Sequence, residues 1–126
     1  MGGTGGGGPV GPRLAAAVRW SDTTAVVTVA GELDRDNQEP LREALSASLA
    51  RHPERVVVDC GRLTFCDSTG LNLLLNARLD ALEAGSRVEL AAVRPPVDRL
   101  LDITGVVAVF RIHDELPGEL VEGEHP

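Results

Sequence analysis

The sequence predicts a single α/β domain: a mixed central β-sheet in the order β-β-α-β-α-β-α-β, with helices packed against it. Three observations carry this. Short β-branched runs alternate with segments in which leucine recurs every three or four residues. Gly, Pro and Asp/Ser clusters punctuate the changes of period. One run, Val56-Val57-Val58, is apolar without alternation, the pattern of a strand covered on both faces. A chain of 126 residues suits one domain, because halving it would leave neither part an adequate core.

The elements follow in order. Met1 to Pro12 holds seven of the 14 glycines together with Pro9 and Pro12, and predicts a disordered leader over 1–12. Leu14 to Trp20 reads as a first strand and Ser21-Asp22-Thr23-Thr24 as its turn. Ala25 to Ala30 reads as the hairpin partner. Gly31-Glu32-Leu33-Asp34 is expected to leave the sheet. Asp36 or Asn37 can cap a helix that tolerates Pro40 in its first turn and buries Leu41, Leu45 and Leu49. Arg55 to Cys60 is the next strand, followed by a connector containing Leu63 and Phe65. Beyond Asp67-Ser68-Thr69-Gly70, a helix should bury Leu71, Leu74, Leu75, Leu79 and Leu82, with Asn72, Asn76, Asp80 and Glu83 outside. Gly85 ends it in a left-handed conformation. Val88 to Val93 is a strand, and Val97, Leu100 and Leu101 mark a helix stopped by Gly105. Val107 to Ile112 closes the sheet. The domain is expected over 13–116, with a flexible acidic tail over 117–126.

Composition excludes several functions. Aromatic residues make up 2% and the net charge is −7, so nucleic acid finds neither stacking platforms nor a basic footprint. All 12 basic residues are arginine, which rules out a P-loop lysine or a Schiff base. No run approaches the roughly 20 apolar residues that span a bilayer, and the N-terminus lacks a signal-peptide pattern. Cys60 and Cys66 match no zinc spacing and form no disulfide framework. They read as buried packing in a cytoplasmic protein. No metal or other cofactor is called for.

The turn Asp67-Ser68-Thr69-Gly70 admits two compatible readings. Its oxygens can cap a helix start. A phosphoryl group on Ser68 would also meet the positive end of that helix while adding about −1.5 to −2 charge beside Asp67. The hydrolase elbow Gly-x-Ser-x-Gly is not matched, since position 66 is Cys. A phospho-aspartate receiver is excluded by the missing lysine and by a first strand that ends Arg19-Trp20-Ser21.

The ordered set Gly31-Glu32-Leu33-Asp34, Val56-Val57-Val58-Asp59, Phe65-Cys66-Asp67-Ser68-Thr69-Gly70-Leu71 and Val97 to Gly105 resembles the STAS domain of bacterial anti-sigma factor antagonists. The resemblance covers about residues 14 to 116. It implies a STAS fold and a non-enzymatic binding module with no catalytic residues. In its unphosphorylated form such a module holds an anti-sigma factor with serine kinase activity and so frees the sigma factor. Phosphorylation of Ser68 by that partner would end binding, and a PP2C-type phosphatase would restore it. The implied partner surface comprises Asp34, Asp67, Ser68, Thr69, Gly70 and Asn72, on a monomer or weak dimer that touches neither nucleic acid nor membrane. The alternative is a constitutive scaffold or regulatory STAS module in which Ser68 is only a helix cap. Asn72 departs from the glycine that many relatives carry, and Cys66 from an aliphatic.

Overall fold

The computed structural model describes residues 13–121; the Gly-rich leader over 1–12 and residues 122–126 lie outside the described residues. The described elements are β1 (Ala15–Ser21), β2 (Thr24–Leu33), α1 (Glu39–Leu49), β3 (Arg55–Cys66), α2 (Ser68–Glu83), β4 (Val88–Ala91), α3 (Val97–Thr104) and β5 (Ile112–His113). Single 3-10 turns occupy Val106–Ala108 and Gly118–Leu120.

The strands lie in sequence order, β1-β2-β3-β4-β5. The β1–β2 hairpin is antiparallel, and every later pair is parallel. Each helical crossover therefore steps one strand in the same direction. Right-handed crossovers that never reverse place all three helices on one face of the sheet. The packing agrees. Leu41 and Leu45 of α1, Leu71 and Leu74 of α2, and Leu101 of α3 join Val27, Val29, Val56, Val58 and Leu90 in the main core.

The opposite face would be open were it not for the end of the chain. Val26, Val57 and Ala91 are covered there by Leu120, itself 2% exposed, and by Leu116. An Arg19 guanidinium N–H donates to the Leu120 carbonyl, and the Ser21 hydroxyl donates to the Glu119 carbonyl at 3.3 Å. The packed chain thus reaches Leu120, four residues past the expected boundary at 116, because Leu120 has an apolar seat that composition does not reveal.

The same face holds a buried carboxylate. Glu89 accepts from Arg55 at 3.0 Å, Arg87 at 2.8 Å and bonds His113 at 2.9 Å. Burial alone would raise the pKa of this group, but the bonds from His113, Arg87 and Arg55 outweigh it and hold the carboxyl at about 2. Two guanidinium partners and a histidine bond make an ionised side chain tolerable at this depth.

Other differences from the sequence reading are local. Gly31 to Leu33 stays in the sheet, and the expected connector at 61–66 is strand, paired with Ala30 to Leu33 across two bulges. The leucine stripe of α2 also rotates. Leu73, Ala77 and Ala81 are buried, whereas Leu79 and Leu82 are exposed. The last strand starts at Ile112 instead of Val107, with a 3-10 turn in between. The helix stops agree: Gly85 and Gly105 take φ of 79° and 78°. Trp20 is partly buried at the sheet's edge, with the Arg51 guanidinium 4.3 Å from its ring centre.

Two outcomes are expected. Leu120→Ala should lower stability in urea by about 2 kcal/mol, the lower end for a buried leucine because only one side of it is core. Glu89→Gln should be destabilised relative to wild type above pH about 4.5. Because the native pKa is depressed, the carboxylate's contribution is lost as pH falls from there towards about 2, so the two stability curves should converge in acid.

Candidate functional site

Local pairing builds the site. The central parallel strands β2 and β3 end side by side, with Leu33 opposite Cys66. The Asp67 N–H continues the ladder to the Leu33 carbonyl at 3.2 Å. Two loops therefore leave the sheet together at the carboxyl ends of the strands, where open parallel sheets present their ligand surfaces.

Asp67 is the residue that joins them. It sits in extended conformation as the N-cap of α2, and its Oδ1 accepts the Gly70 N–H at 2.9 Å. Its Oδ2 receives the Arg35 N–H from the neighbouring loop at 3.4 Å. Asp34 organises that loop in the same manner, with Oδ1 accepting from the Asp36 and Asn37 amides at 2.9 and 3.0 Å. This overturns the expectation that Asp36 or Asn37 caps α1. The N-cap is Gln38, without a side-chain bond, while Asp34 ties Asp36 and Asn37 into the turn that precedes it.

Gly70 is the point of closest approach. A Cβ there would lie 2.6 Å from Leu33 Cγ and 3.0 Å from the Leu33 carbonyl oxygen. The first turn of α2 is therefore pressed against the end of β2, and no larger residue fits without moving one of them.

Ser68, the first helical residue, is exposed. Its hydroxyl has no partner among the described residues. The cap role considered for Ser68 belongs to Asp67, which leaves the serine oxygen at the surface above the α2 N-terminus. Asp34, Arg35, Asp36, Phe65, Asp67 and Thr69 surround it in one shallow depression. Asn72 stands apart: it is exposed one turn along α2 and lines a groove against α1, shared with Thr69, Gln38, Arg42 and Asn76.

Arg35 and Phe65 were missed as site residues. Phe65, one of two phenylalanines in the chain, is 43% exposed beside the serine. An exposed ring in so aromatic-poor a chain could have been noticed had residues 61–66 been recognised as strand. Arg35 had no distinguishing signal in sequence.

Burial, reinforced by the Asp67 carboxylate, pushes the Cys66 thiol up to about 12, so it stays protonated and donates to the Asp67 carbonyl at 3.4 Å. Burial likewise raises Cys60 to about 12. His113 is bonded to Glu89. No group of three or more potential metal-ligating side chains occurs among the described residues. None of the described helices is long and apolar enough to cross a membrane.

Comparisons with known proteins point in one direction. Residues 16–112 match the family described as Mlab, STAS domain. The chain is 31% identical over 100 residues to the anti-sigma F factor antagonist of Paenibacillus polymyxa, covering 79% of this chain and 86% of that protein. The crystal structure of an anti-sigma factor antagonist from Mycobacterium paratuberculosis superposes with a TM-score of 0.75 at 27% identity, over 85% of this chain and 91% of that one. The Bacillus protein SpoIIAA shares the fold at 23% identity and a TM-score of 0.66, over 78% of this chain and 87% of that one. SpoIIAA has been solved both unphosphorylated and phosphorylated.

Gly70→Ala is expected to destabilise the protein by roughly 1–3 kcal/mol through the clash with Leu33. Asp67→Ala should cost about 1 kcal/mol through the lost cap. Denaturant unfolding measures both, and a Gly70→Ala protein as stable as wild type would refute the contact.

Proposed function

The chain belongs to the STAS-domain family, and on that premise we propose that it is an anti-sigma factor antagonist switched by phosphorylation of Ser68. The observation that carries this reading is a hydroxyl with no structural duty: exposed, unbonded, and seated on a helix whose cap is supplied by the residue before it. An oxygen in that position can accept a group without dismantling the fold.

In the unphosphorylated state the depression around Ser68, with Asp34, Thr69, Gly70 and the adjoining Asn72 side of α2, contacts an anti-sigma factor and withdraws it from its sigma factor. That partner carries serine kinase activity. The Ser68 oxygen attacks the γ-phosphorus of the partner's ATP, ADP leaves, and the hydroxyl proton passes to a base of the kinase. The domain is the substrate of this step and catalyses nothing. Inside the domain the new phosphate faces the positive end of α2 and its free amides. Towards the partner it adds about two negative charges to a rim that already holds Asp34, Asp36 and Asp67. Repulsion and desolvation at a docked surface can remove several kcal/mol, enough to dissolve a micromolar complex. A PP2C-type phosphatase hydrolyses the phosphoserine and resets the cycle. Both partner activities and ATP place the cycle in the cytoplasm.

Incubation with the cognate kinase and ATP, followed by mass spectrometry, should find phosphate on Ser68. Ser68→Ala should remain unmodified and keep partner binding. Its unfolding free energy should lie within about 0.5 kcal/mol of wild type, because Asp67 supplies the cap. Phosphate elsewhere in Ser68→Ala would overturn the site. Full partner affinity in stoichiometrically phosphorylated protein would replace the switch with a constitutive scaffold.

A further inference from the structure

Helix α2 carries two leucines that its packing does not use, Leu79 at 55% and Leu82 at 50% exposure. They lie three residues apart and so share one side of the helix. Beside them is a groove of about 280 Å3 in which Leu82 meets Val88 and Val109, between Arg78 and Arg111. Val109 is 41% exposed, so the apolar floor is open to solvent.

The rim of this groove is cationic in a protein whose net charge is −7. Neither Arg78 nor Arg111 has an ion-pair or hydrogen-bond partner among the described residues. Arg87, also on the rim, gives its Nε to Glu89 and keeps a side chain that is 54% exposed. Glu89 reaches the groove too, but the Arg55 and Arg87 guanidiniums already compensate its charge. Asp80 of the same helix lines the opposite groove, against α1.

From this geometry we infer a second docking surface, at the C-terminal end of α2, that accepts an acidic segment of a partner protein carrying an aliphatic side chain. The aliphatic group would cover Leu82 and Val109 while carboxylates reach Arg78 and Arg111, whose planar forks suit carboxylate geometry. A symmetric dimer through the same patch would bring the arginine rims of both copies together, so a second copy fits poorly. Nucleic acid would match the charge but waste the aliphatic floor, which offers no ring for stacking.

Leu82 lies 14 positions beyond Ser68 on one helix, roughly 21 Å along its axis. A partner held here leaves the serine depression free, and its binding is indifferent to the phosphate there. The protein would thus carry an attachment that persists through the switching cycle.

The test is a titration of 15N-labelled protein with the blocked peptide Glu-Glu-Leu-Glu-Asp-Val, and separately with its Gln/Asn analogue. Amide shifts should concentrate at Arg78, Leu82, Val88, Val109 and Arg111. The neutral analogue and the double variant Arg78→Glu/Arg111→Glu should each bind about tenfold more weakly. Protein phosphorylated at Ser68 should bind the acidic peptide as unmodified protein does. Should the charge-reversed variant unfold, Arg78→Gln/Arg111→Gln serves in its place. Shifts elsewhere, no shifts, or equal affinity for the neutral analogue would overturn the proposal. So would tighter capture of a single-stranded oligonucleotide at these residues, or concentration-dependent dimerisation abolished by Leu82→Ser.

Discussion

One carboxylate holds two loops together at the carboxyl ends of β2 and β3. Asp67 bonds the first turn of α2 through one oxygen and the loop after β2 through the other. Around it, the Leu33 carbonyl receives the Asp67 amide, and Gly70 allows the helix to press on the Leu33 side chain. These contacts hold the two loops in one fixed relation. Ser68 is placed by this arrangement but takes no part in it. That division of labour leaves the Ser68 side chain without a structural duty while its backbone stays supported.

The sheet's single direction of growth explains the rest of the architecture. With every crossover on one side, the helices crowd one face and leave the other to a small plug, Leu116 and Leu120. Charge is sorted along the strands as well. Glu89 and its cations gather near the strand starts, where Arg55 opens β3, whereas the carboxylates of Asp34 and Asp67 follow the ends of β2 and β3. The two ends of α2 consequently meet different electrostatic environments.

Much of this was legible in sequence, and the exceptions have physical causes. Strands with clean composition, such as Val56 to Cys60, and helix stops at Gly85 and Gly105 follow from local rules. The stretch 61–66 did not, because its two bulges break the two-residue alternation: Cys60, Leu63 and Cys66 are buried at intervals of three. A strand with that spacing has no periodic signature. The capping of α1 misled for a related reason, since Asp34 lies further from the helix than a cap normally does and serves the turn instead. Leu79 and Leu82 read as core because leucine spacing cannot distinguish a buried stripe from an exposed one when the true stripe contains Ala77 and Ala81. At the site, the grouping of Asp34 with Asp67, Ser68, Thr69 and Gly70 was anticipated, while Arg35 and Phe65 enter only through the three-dimensional pairing of β2 with β3.

The plug has a consequence for the order in which the chain can assemble. Its seat is contributed by Arg19 and Ser21 of β1, Val26 of β2, Arg55 and Val57 of β3, and Ala91 of β4. That seat is complete only once four strands have found their register across most of the chain. Leu120 is therefore captured late, after the slow non-local pairing that governs the folding of such sheets, and its burial marks the completion of the fold.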